Sequence, residues 1–176
     1  MSTWLNERSR NGGVDEVPLP RGPGRLWLCG KHFIGPDVEA ALAQAGATTV
    51  VCLNEPRELA DRYPDYVSWL RDAVPTRAVW HPIPDLHVPS VDDAVLLVDE
   101  LVARLDRGEV LLVHCAAGIG RSGTIAVALL LAMGADLDSA LATVAASRPM
   151  AGPEAGVQAE LLAALAATFR PRRETR

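Results

Sequence analysis

The sequence predicts one α/β domain in which a central, mostly parallel sheet is flanked by helices. Short apolar segments rich in β-branched residues alternate along the chain with segments of helical period, as in folds built on a parallel sheet. A length of 176 residues is usual for one domain and is enough to bury a core without disulfides or a structural metal. No segment repeats another at a fixed period.

The first half of the chain contributes three predicted strands: Arg25 to Gly30, Thr48 to Leu53 and Thr76 to Ile83. The second of them is apolar on both faces, as a buried parallel strand is. Pro36 to Ala45 is predicted to be a short helix, because a proline stands at its start and Gly46 can end it. Pro56 to Ala73 is predicted to be helical in pieces that break at Pro64.

The second half is predicted to contain one more strand and four helices. The first helix should begin at Ser90, which can form a capping box with Asp93, and should end at Gly108. Val110 to Val113 is a short apolar run before a glycine-rich turn, and it predicts a strand. The remaining helices are Thr124 to Met133, which is apolar all round, Asp136 to Ser147, and Pro153 to Phe169.

The two ends of the chain differ from this pattern. Residues 1–24 are rich in glycine, proline and charge and have no sustained period, which predicts a flexible N-terminal arm. The folded domain is therefore expected to span residues 25–170, followed by a charged tail over residues 171–176.

Composition restricts the partners and the compartment. The net charge of −5 argues against nucleic acid or anionic lipid as the main partner, since both require concentrated positive charge. The longest apolar stretch, Ile125 to Met133, is far shorter than the roughly 20 residues that span a bilayer, and the charged N-terminus is unlike a secretory signal. Cys29, Cys52 and Cys115 have neither disulfide nor metal-ligand spacing. We expect a cytoplasmic monomer with free thiols and no membrane or nucleic-acid partner.

One segment between a predicted strand and the buried helix carries chemistry: His114-Cys115-Ala116-Ala117-Gly118-Ile119-Gly120-Arg121-Ser122-Gly123. Gly118 and Gly120 allow successive backbone N–H groups to turn toward one point, and the following helix directs the positive end of its dipole there. A thiolate or a phosphate at this point is stabilised by backbone geometry. Cys115 at the mouth of the loop is placed to be ionised and nucleophilic.

Arg121 and Ser122 complete the predicted anion site. Arg121 carries a planar fork of donors that can hold two oxygens of a phosphoryl group, which a lysine cannot reproduce. Ser122 can donate its hydroxyl to the Cys115 sulfur and help it to leave when a phosphoenzyme is hydrolysed. Phosphate is expected to contact the loop backbone and the arginine: Ala116, Ala117, Gly118, Ile119, Gly120 and Arg121.

The pattern is specific. With this composition, histidine before cysteine, glycines at +3 and +5, arginine at +6 and serine at +7 should arise by accident in roughly one chain in a million. The competing interpretation is an inert buried thiol in a glycine turn. It leaves Arg121, a cation at a helix start, unexplained.

These residues resemble the signature of the protein tyrosine phosphatase superfamily, His-Cys-x5-Arg followed by Ser or Thr, and the match is complete. Chain size indicates the small dual-specificity branch. The resemblance runs from Arg25 to Phe169 and includes the Pro36 helix and the Arg148-Pro149 turn, and the segment 50–55 is similar to the kinase-associated phosphatases. It implies a dual-specificity phosphatase-like fold that hydrolyses phosphate monoesters through a phosphocysteine.

The resemblance also implies a general acid, an aspartate on a loop about thirty residues before the nucleophile. Asp85 lies 30 residues before Cys115 in a proline-rich turn, where it would protonate the leaving oxygen. Turns favour aspartate for local reasons, so a plain turn residue is the alternative. Asp92 and Asp93 are the substitutes, although they look more like acids in the first turn of a helix.

The remaining polar residues are given lesser roles. His114 is expected to orient the loop backbone. His32, His81 and His87 lack metal-ligand spacing, so we expect no metal and no cofactor. Gln158 stands where some relatives hold the hydrolytic water with a glutamine, but a solvated helix face is the favoured interpretation, and it is left out of the site.

Two functions of other kinds compete with the phosphatase. A rhodanese-like sulfurtransferase also presents a cysteine on an anion-binding loop, and a catalytically weak phosphatase fold could serve only to bind phosphorylated partners. Asp85 and the complete motif favour the phosphatase. Ala116, Ala117 and Ile119 are neutral where phosphoinositide-cleaving relatives carry lysines, so a phosphorylated protein is the favoured substrate. Tyrosine alone or tyrosine with serine and threonine stays open, as do small phosphorylated metabolites.

Cys52 has two interpretations. It ends a predicted strand that could neighbour the loop, and it is interpreted as core packing. The alternative is a protective disulfide with Cys115, because a reactive thiolate is what peroxide attacks first.

Overall fold

A computed structural model describes residues 12–170 of the chain. Its five strands are β1 (Val14–Val17), β2 (Arg25–Gly30), β3 (Thr49–Cys52), β4 (Ala78–Trp80) and β5 (Val110–Cys115). They form one sheet in the order β1-β2-β5-β3-β4, in which β1 is antiparallel to β2 and all other pairs are parallel. The predicted mostly parallel sheet is confirmed, and β5 lies at its centre.

Helices cover both faces of this sheet. They are α1 (Lys31–Ile34), α2 (Val38–Ala45), α3 (Pro64–Ala73), α4 (Val91–Asp106), α5 (Gly120–Ala132), α6 (Leu137–Ser147) and α7 (Gly156–Thr168), with a 3-10 turn over Pro56–Glu58. No helix within residues 12–170 is long and apolar enough to cross a membrane.

The central strand divides the core in two. Leu111 and Val113 of β5 belong to the apolar cluster that contains α4, α5 and α7, whereas Leu112 belongs to the cluster formed with α2 and α3. Alternate residues of a strand point to opposite faces, so His114 shares the face of Leu112 and Cys115 shares the face of Val113. The nucleophile candidate and its neighbouring histidine therefore lie on different sides of the sheet.

Three helix-end signals read from the sequence are confirmed, whereas Pro153 does not open the last helix, which begins three residues later at Gly156. Ser90 Oγ accepts a hydrogen bond from Asp93 N at 3.1 Å at the start of α4. Asp136 accepts one from Ser139 N at 2.9 Å at the start of α6. Gly46 has a φ of 61° and ends α2 in the left-handed conformation that glycine favours.

The predicted flexible arm over residues 1–24 is wrong in part. Val14–Val17 forms the edge strand β1, in which Val14 lies opposite Cys29 and Val17 opposite Leu26. Four residues between Gly12-Gly13 and Pro18 are too few for a period of two to be recognised. The folded unit therefore begins before the expected residue 25. The start of the predicted arm, residues 1–11, and the predicted tail over 171–176 lie outside the described residues.

Candidate active site

The signature segment joins the central strand to a buried helix. β5 ends at Cys115, residues 116–119 form the loop, and α5 begins at Gly120. This is four residues before the predicted start, because Gly120 to Gly123 already adopt helical geometry. Residues Gly120 to Leu131 are all buried. The burial predicted for Thr124 to Met133 is thus confirmed, except that Ala132 is partly buried. The loop thus lies at the carboxyl edge of a parallel sheet, where α/β folds place their ligands.

The carbonyl groups of the loop are occupied by donors from the surrounding structure. The bonds are Lys31 N to Ala116 O (3.0 Å), Arg148 Nη2 to Ala117 O (2.9 Å), Arg148 Nε to Gly118 O (2.8 Å) and Gly152 N to Ile119 O (3.1 Å). These four bonds attach the loop to the structure around it. Binding of an anion by its N–H groups stays a prediction.

The loop packs closely against its surroundings at Gly118 and Gly120, and at Gly118 the backbone itself requires glycine. Gly118 has a φ of 74°, and a Cβ there would also overlap the carbonyl of Cys29. A side chain at Gly120 would overlap the carboxylate of Glu154. The loop therefore packs closely against both β2 and the segment before α7.

Cys115 and Ser122 meet inside the loop. Cys115 Sγ lies 3.3 Å from Ser122 Oγ, and either atom can donate the hydrogen bond. Both residues are buried. When the sulfur is a thiolate, the serine hydroxyl is the donor, as the sequence predicted.

Arg121 is buried, and Glu58 binds one edge of its guanidinium. Its Nη1 and Nη2 atoms donate to the two carboxylate oxygens of Glu58, each at 2.8 Å, and Nη1 also donates to Ile83 O at 2.8 Å. Its Nε is buried and has no hydrogen-bond partner within residues 12–170. A buried unsatisfied donor is costly, so an acceptor atom that binds this Nε would stabilise the site. The Nε and Nη2 edge is suited to bind two oxygens of a phosphoryl group.

Glu58 is a site residue that the sequence analysis did not identify. Its carboxylate binds the Nη1 and Nη2 atoms of Arg121, and its side chain is 17% exposed. Burial opposes its ionisation, but hydrogen bonds from Arg121, from Glu55 N and from Asn54 outweigh this and lower its pKa to about 2. The Glu55-x-x-Glu58 spacing is also that of a helix cap, which the structure forms as well. No distinct pattern in the sequence therefore indicated the contact with Arg121.

Asp85 lies at the entrance of the site. Its Oδ1 is 3.4 Å from Arg121 Nη2, while the side chain is 68% exposed. Its Oδ1 also accepts from Leu86 N at 3.1 Å, and its carbonyl lies 2.6 Å from His87 Nδ1. The structure thus brings Asp85 to the Nε and Nη2 edge of Arg121. The two substitutes, Asp92 and Asp93, lie in the first turn of α4, as their sequence context suggested.

His114 is buried behind the loop. Its Nε2 lies 2.6 Å from Tyr66 Oη, and its Nδ1 lies 3.4 Å from Cys115 O. Burial, followed by the nearby Arg121 charge, lowers the pKa of His114 to about 4, so the ring is neutral at neutral pH. If Tyr66 donates to Nε2, the proton of the ring is on Nδ1 and faces the Cys115 carbonyl.

The interpretation of Gln158 as a solvated residue is wrong, because its side chain is fully buried. Its Oε1 accepts from Glu154 N at 2.7 Å and from Ala155 N at 3.3 Å, and its Nε2 lies 3.5 Å from His87 O. Period alone could not reveal this, because the turn before α7 folds back over the helix start. Gln158 connects that turn to the loop of Asp85.

Cys29 and Cys52 lie on the opposite face of the sheet from Cys115. Both pair in register with His114, on β2 and β3 respectively, and belong to the core cluster of α2 and α3. Burial raises the pKa of Cys52 to about 12 and raises the pKa of Cys29 as well. Core packing of Cys52, the favoured interpretation, agrees with this. A disulfide between Cys52 and Cys115 would require the backbone to move.

Comparison with known proteins agrees with the site. Residues 23–168 match the family model described as PTP-SAK, the DSP-PTPase phosphatase domain of Swiss Army Knife proteins. The chain belongs to this family. It is thus a phosphatase of the small dual-specificity branch, and the sulfurtransferase alternative is not favoured. A search of curated proteins found no match to the sequence.

Solved structures of phosphatases share the fold. Tk-PTP in its active form is 28% identical, with a TM-score of 0.64, over 84% of this chain and 93% of that one. Kinase associated phosphatase with its catalytic-site cysteine replaced by serine is 21% identical, with a TM-score of 0.74, over 89% and 95%. Human DUSP28 is 20% identical, with a TM-score of 0.65, over 89% and 95%. The last two show likeness in fold alone.

Proposed function

We propose that this phosphatase removes phosphate from phosphorylated proteins, phosphotyrosine first, through a covalent phosphocysteine on Cys115. The observation that carries the proposal is the buried, unpartnered Nε of Arg121 beside the Cys115 and Ser122 pair. Phosphate bound to this edge and to the loop N–H groups has its phosphorus next to a nucleophile. Cys115, Arg121, Asp85 and Ser122 are the proposed catalytic residues.

In the first step, the Cys115 thiolate attacks phosphorus, a sulfur–phosphorus bond forms, and the bond to the leaving oxygen breaks. Asp85 gives its proton to that oxygen, which departs as a neutral phenol or alcohol. The exposure of Asp85 at the entrance supports this role, because the leaving group must point away from the loop.

In the second step, water attacks phosphorus and transfers a proton to the Asp85 carboxylate, while the sulfur departs as a thiolate. A hydrogen bond from Ser122 to the sulfur stabilises that charge. Inorganic phosphate then leaves, and the enzyme returns to its starting protonation state. Every proton and every electron pair is accounted for in these two steps, and neither step uses a metal or a cofactor.

The neutral loop residues Ala116, Ala117 and Ile119 support a phosphoprotein over a highly charged inositol phosphate. We also propose that the protein works as a cytoplasmic monomer without a membrane or nucleic-acid partner. The net charge of −5 and the three free cysteines support this.

A substrate panel without added metal tests the function. We expect phosphate release from phosphotyrosine peptides, slower release from phosphothreonine peptides and little from phosphoinositides, with the Cys115→Ser variant as the blank. A wild-type enzyme that releases no phosphate from either peptide, or that forms thiocyanate from thiosulfate and cyanide instead, would contradict the proposal.

A further inference from the structure

Arg148 connects the anion loop to the edge of the sheet. This residue caps the C-terminal end of α6 and is 3% exposed. Its Nε and Nη2 donate to the carbonyls of Gly118 and Ala117, two consecutive residues of the loop. A planar guanidinium holds both carbonyls at fixed spacing, which a lysine ammonium cannot do.

The other side of the same guanidinium is held by β1. Arg148 Nη1 donates to Asp15 Oδ2 at 2.7 Å and to Gly13 O at 3.2 Å. The side chains of Arg148 and Asp15 are only 4% and 11% exposed. A charge buried to this degree needs a charged partner, and removal of the partner leaves the other ion uncompensated. Asp15 is therefore what allows Arg148 to remain buried against the loop.

We propose that Arg148 is a positioning residue for the phosphate-binding loop and that Asp15 on β1 completes this role, so that attachment of β1 and oxyanion binding are coupled. The inference rests on the proposed function, because it requires the loop to bind phosphate. With Asp15 neutral, Arg148 moves toward water and releases the Ala117 and Gly118 carbonyls. Those carbonyls are then free to turn inward, where they repel an anion. Coupling of this kind is reciprocal, so an oxyanion in the loop also stabilises β1 against detachment.

The chain offers a matched control on the same strand. Glu16, the next residue, forms a bidentate pair with Arg25 of β2, with Nε and Nη2 at 2.7 and 2.9 Å. That pair also joins β1 to β2, but both side chains are exposed and neither contacts the loop. Loss of a carboxylate at residue 16 thus changes the attachment of β1 without changing what holds Arg148.

The test compares Asp15→Asn with Glu16→Gln by binding of orthovanadate, an oxyanion that mimics phosphate. Calorimetry is carried out well below the melting temperature of each variant, so that only folded protein is titrated. We expect Asp15→Asn to raise the vanadate Kd about five- to tenfold, because the charge-assisted bond from Arg148 to residue 15 becomes a weaker bond to a neutral amide. Glu16→Gln should change it less than twofold. A merely structural role of Asp15 would lower the melting temperature and leave the Kd of the folded protein unchanged.

Hydrogen exchange supplies a second measurement. Saturating vanadate should slow hydrogen exchange of the Val14–Val17 amides in the wild type and in Glu16→Gln. It should not slow this exchange in Arg148→Lys. If Arg148→Lys does not fold, Asp15→Asn is measured instead. Equal vanadate affinity of Asp15→Asn and Glu16→Gln would overturn the coupling alone. A wild-type protein that binds no vanadate would overturn the coupling and the proposed function together.

Discussion

Arg121 divides its donors between two tasks. One edge is fixed by Glu58 and the Ile83 carbonyl, and the other, with the unpartnered Nε, is available to phosphate. The motif identifies the arginine, but the edge that it presents depends on a carboxylate 63 residues away in the sequence. The orientation of the Arg121 guanidinium therefore depends on the fold.

Glu58→Gln should lower kcat/KM for a phosphotyrosine peptide roughly tenfold, because neutral glutamine cannot make the two charge-assisted bonds that fix Arg121. Steady-state kinetics measure the effect. Glu55→Gln is the matched control, since Glu55 lies on the same turn but pairs with the exposed Arg57. An equal loss in both variants would mean that negative charge in this turn matters and the Arg121 contact does not.

Asp85→Asn should lose the basic limb of the kcat/KM profile, which reports a protonated general acid. The loss in rate should be about a hundredfold on phosphopeptides and smaller on nitrophenyl phosphate, because nitrophenolate leaves without a proton. Asp92→Asn is the control. If Asp92→Asn loses the basic limb and Asp85→Asn keeps it, the acid is at the start of α4.

His114 should make the stability of the protein depend on pH. Its pKa is about 4 in the fold, against an ordinary value of 6.5. Between these values the unfolded chain binds a proton that the folded chain does not, so stability falls as pH decreases from 6.5 to 4. A shift of this size corresponds to something on the order of 3 kcal/mol.

Chemical unfolding of wild type and His114→Gln at pH 7 and pH 4 checks this expectation. The decrease in the free energy of unfolding between the two pH values should be smaller in His114→Gln, since glutamine does not titrate. An identical decrease in both proteins would show that His114 is not the group that titrates.

The phosphate-binding loop depends on glycine at position 118 for two separable reasons. Gly118 combines a left-handed backbone with close contact to the Cys29 carbonyl, whereas Gly46 has the left-handed backbone with open space around it. Strain alone costs about 1 kcal/mol at such a position. Overlap with backbone cannot be relieved by a rotamer change.

Gly118→Ala should therefore lose at least tenfold in vanadate affinity and in kcat/KM, because the loop must shift away from β2. Gly46→Ala should be less stable by about 1 kcal/mol, with unchanged kinetics. Thermal melts and vanadate titrations of both variants make the comparison. Normal vanadate affinity in Gly118→Ala would contradict the description of the loop as a rigid cradle.

Elements with strong local signals were predictable, and those without them were not. The capped helix after Ser90 and the buried helix after the loop follow from period and end residues. β1 has four residues, and it exists because it pairs with β2 and contributes Asp15 to Arg148. Such a strand is defined by its partners, which a local pattern does not contain.

For the whole molecule, the order of the strands assembles the site. With β5 between β2 and β3, the loop after β5 meets the turn after β3, which carries Glu58, and the turn after β4, which carries Asp85. Cys115, Arg121 and Ser122 were predicted because they stand in one contiguous motif. Asp85 was predicted because it lies 30 residues before Cys115. Glu58 was missed because only the topology brings it to the site.

In the proposed mechanism, turnover passes through a phosphoryl group on Cys115. Acid quenching of the wild type during turnover of a phosphotyrosine peptide, followed by mass spectrometry of its fragments, measures this directly. We predict one added phosphoryl group, on the fragment that contains Cys115, and Cys115→Ser should show neither the adduct nor turnover. A phosphoryl group on another residue, or more than a few per cent of wild-type turnover in Cys115→Ser, would contradict this mechanism.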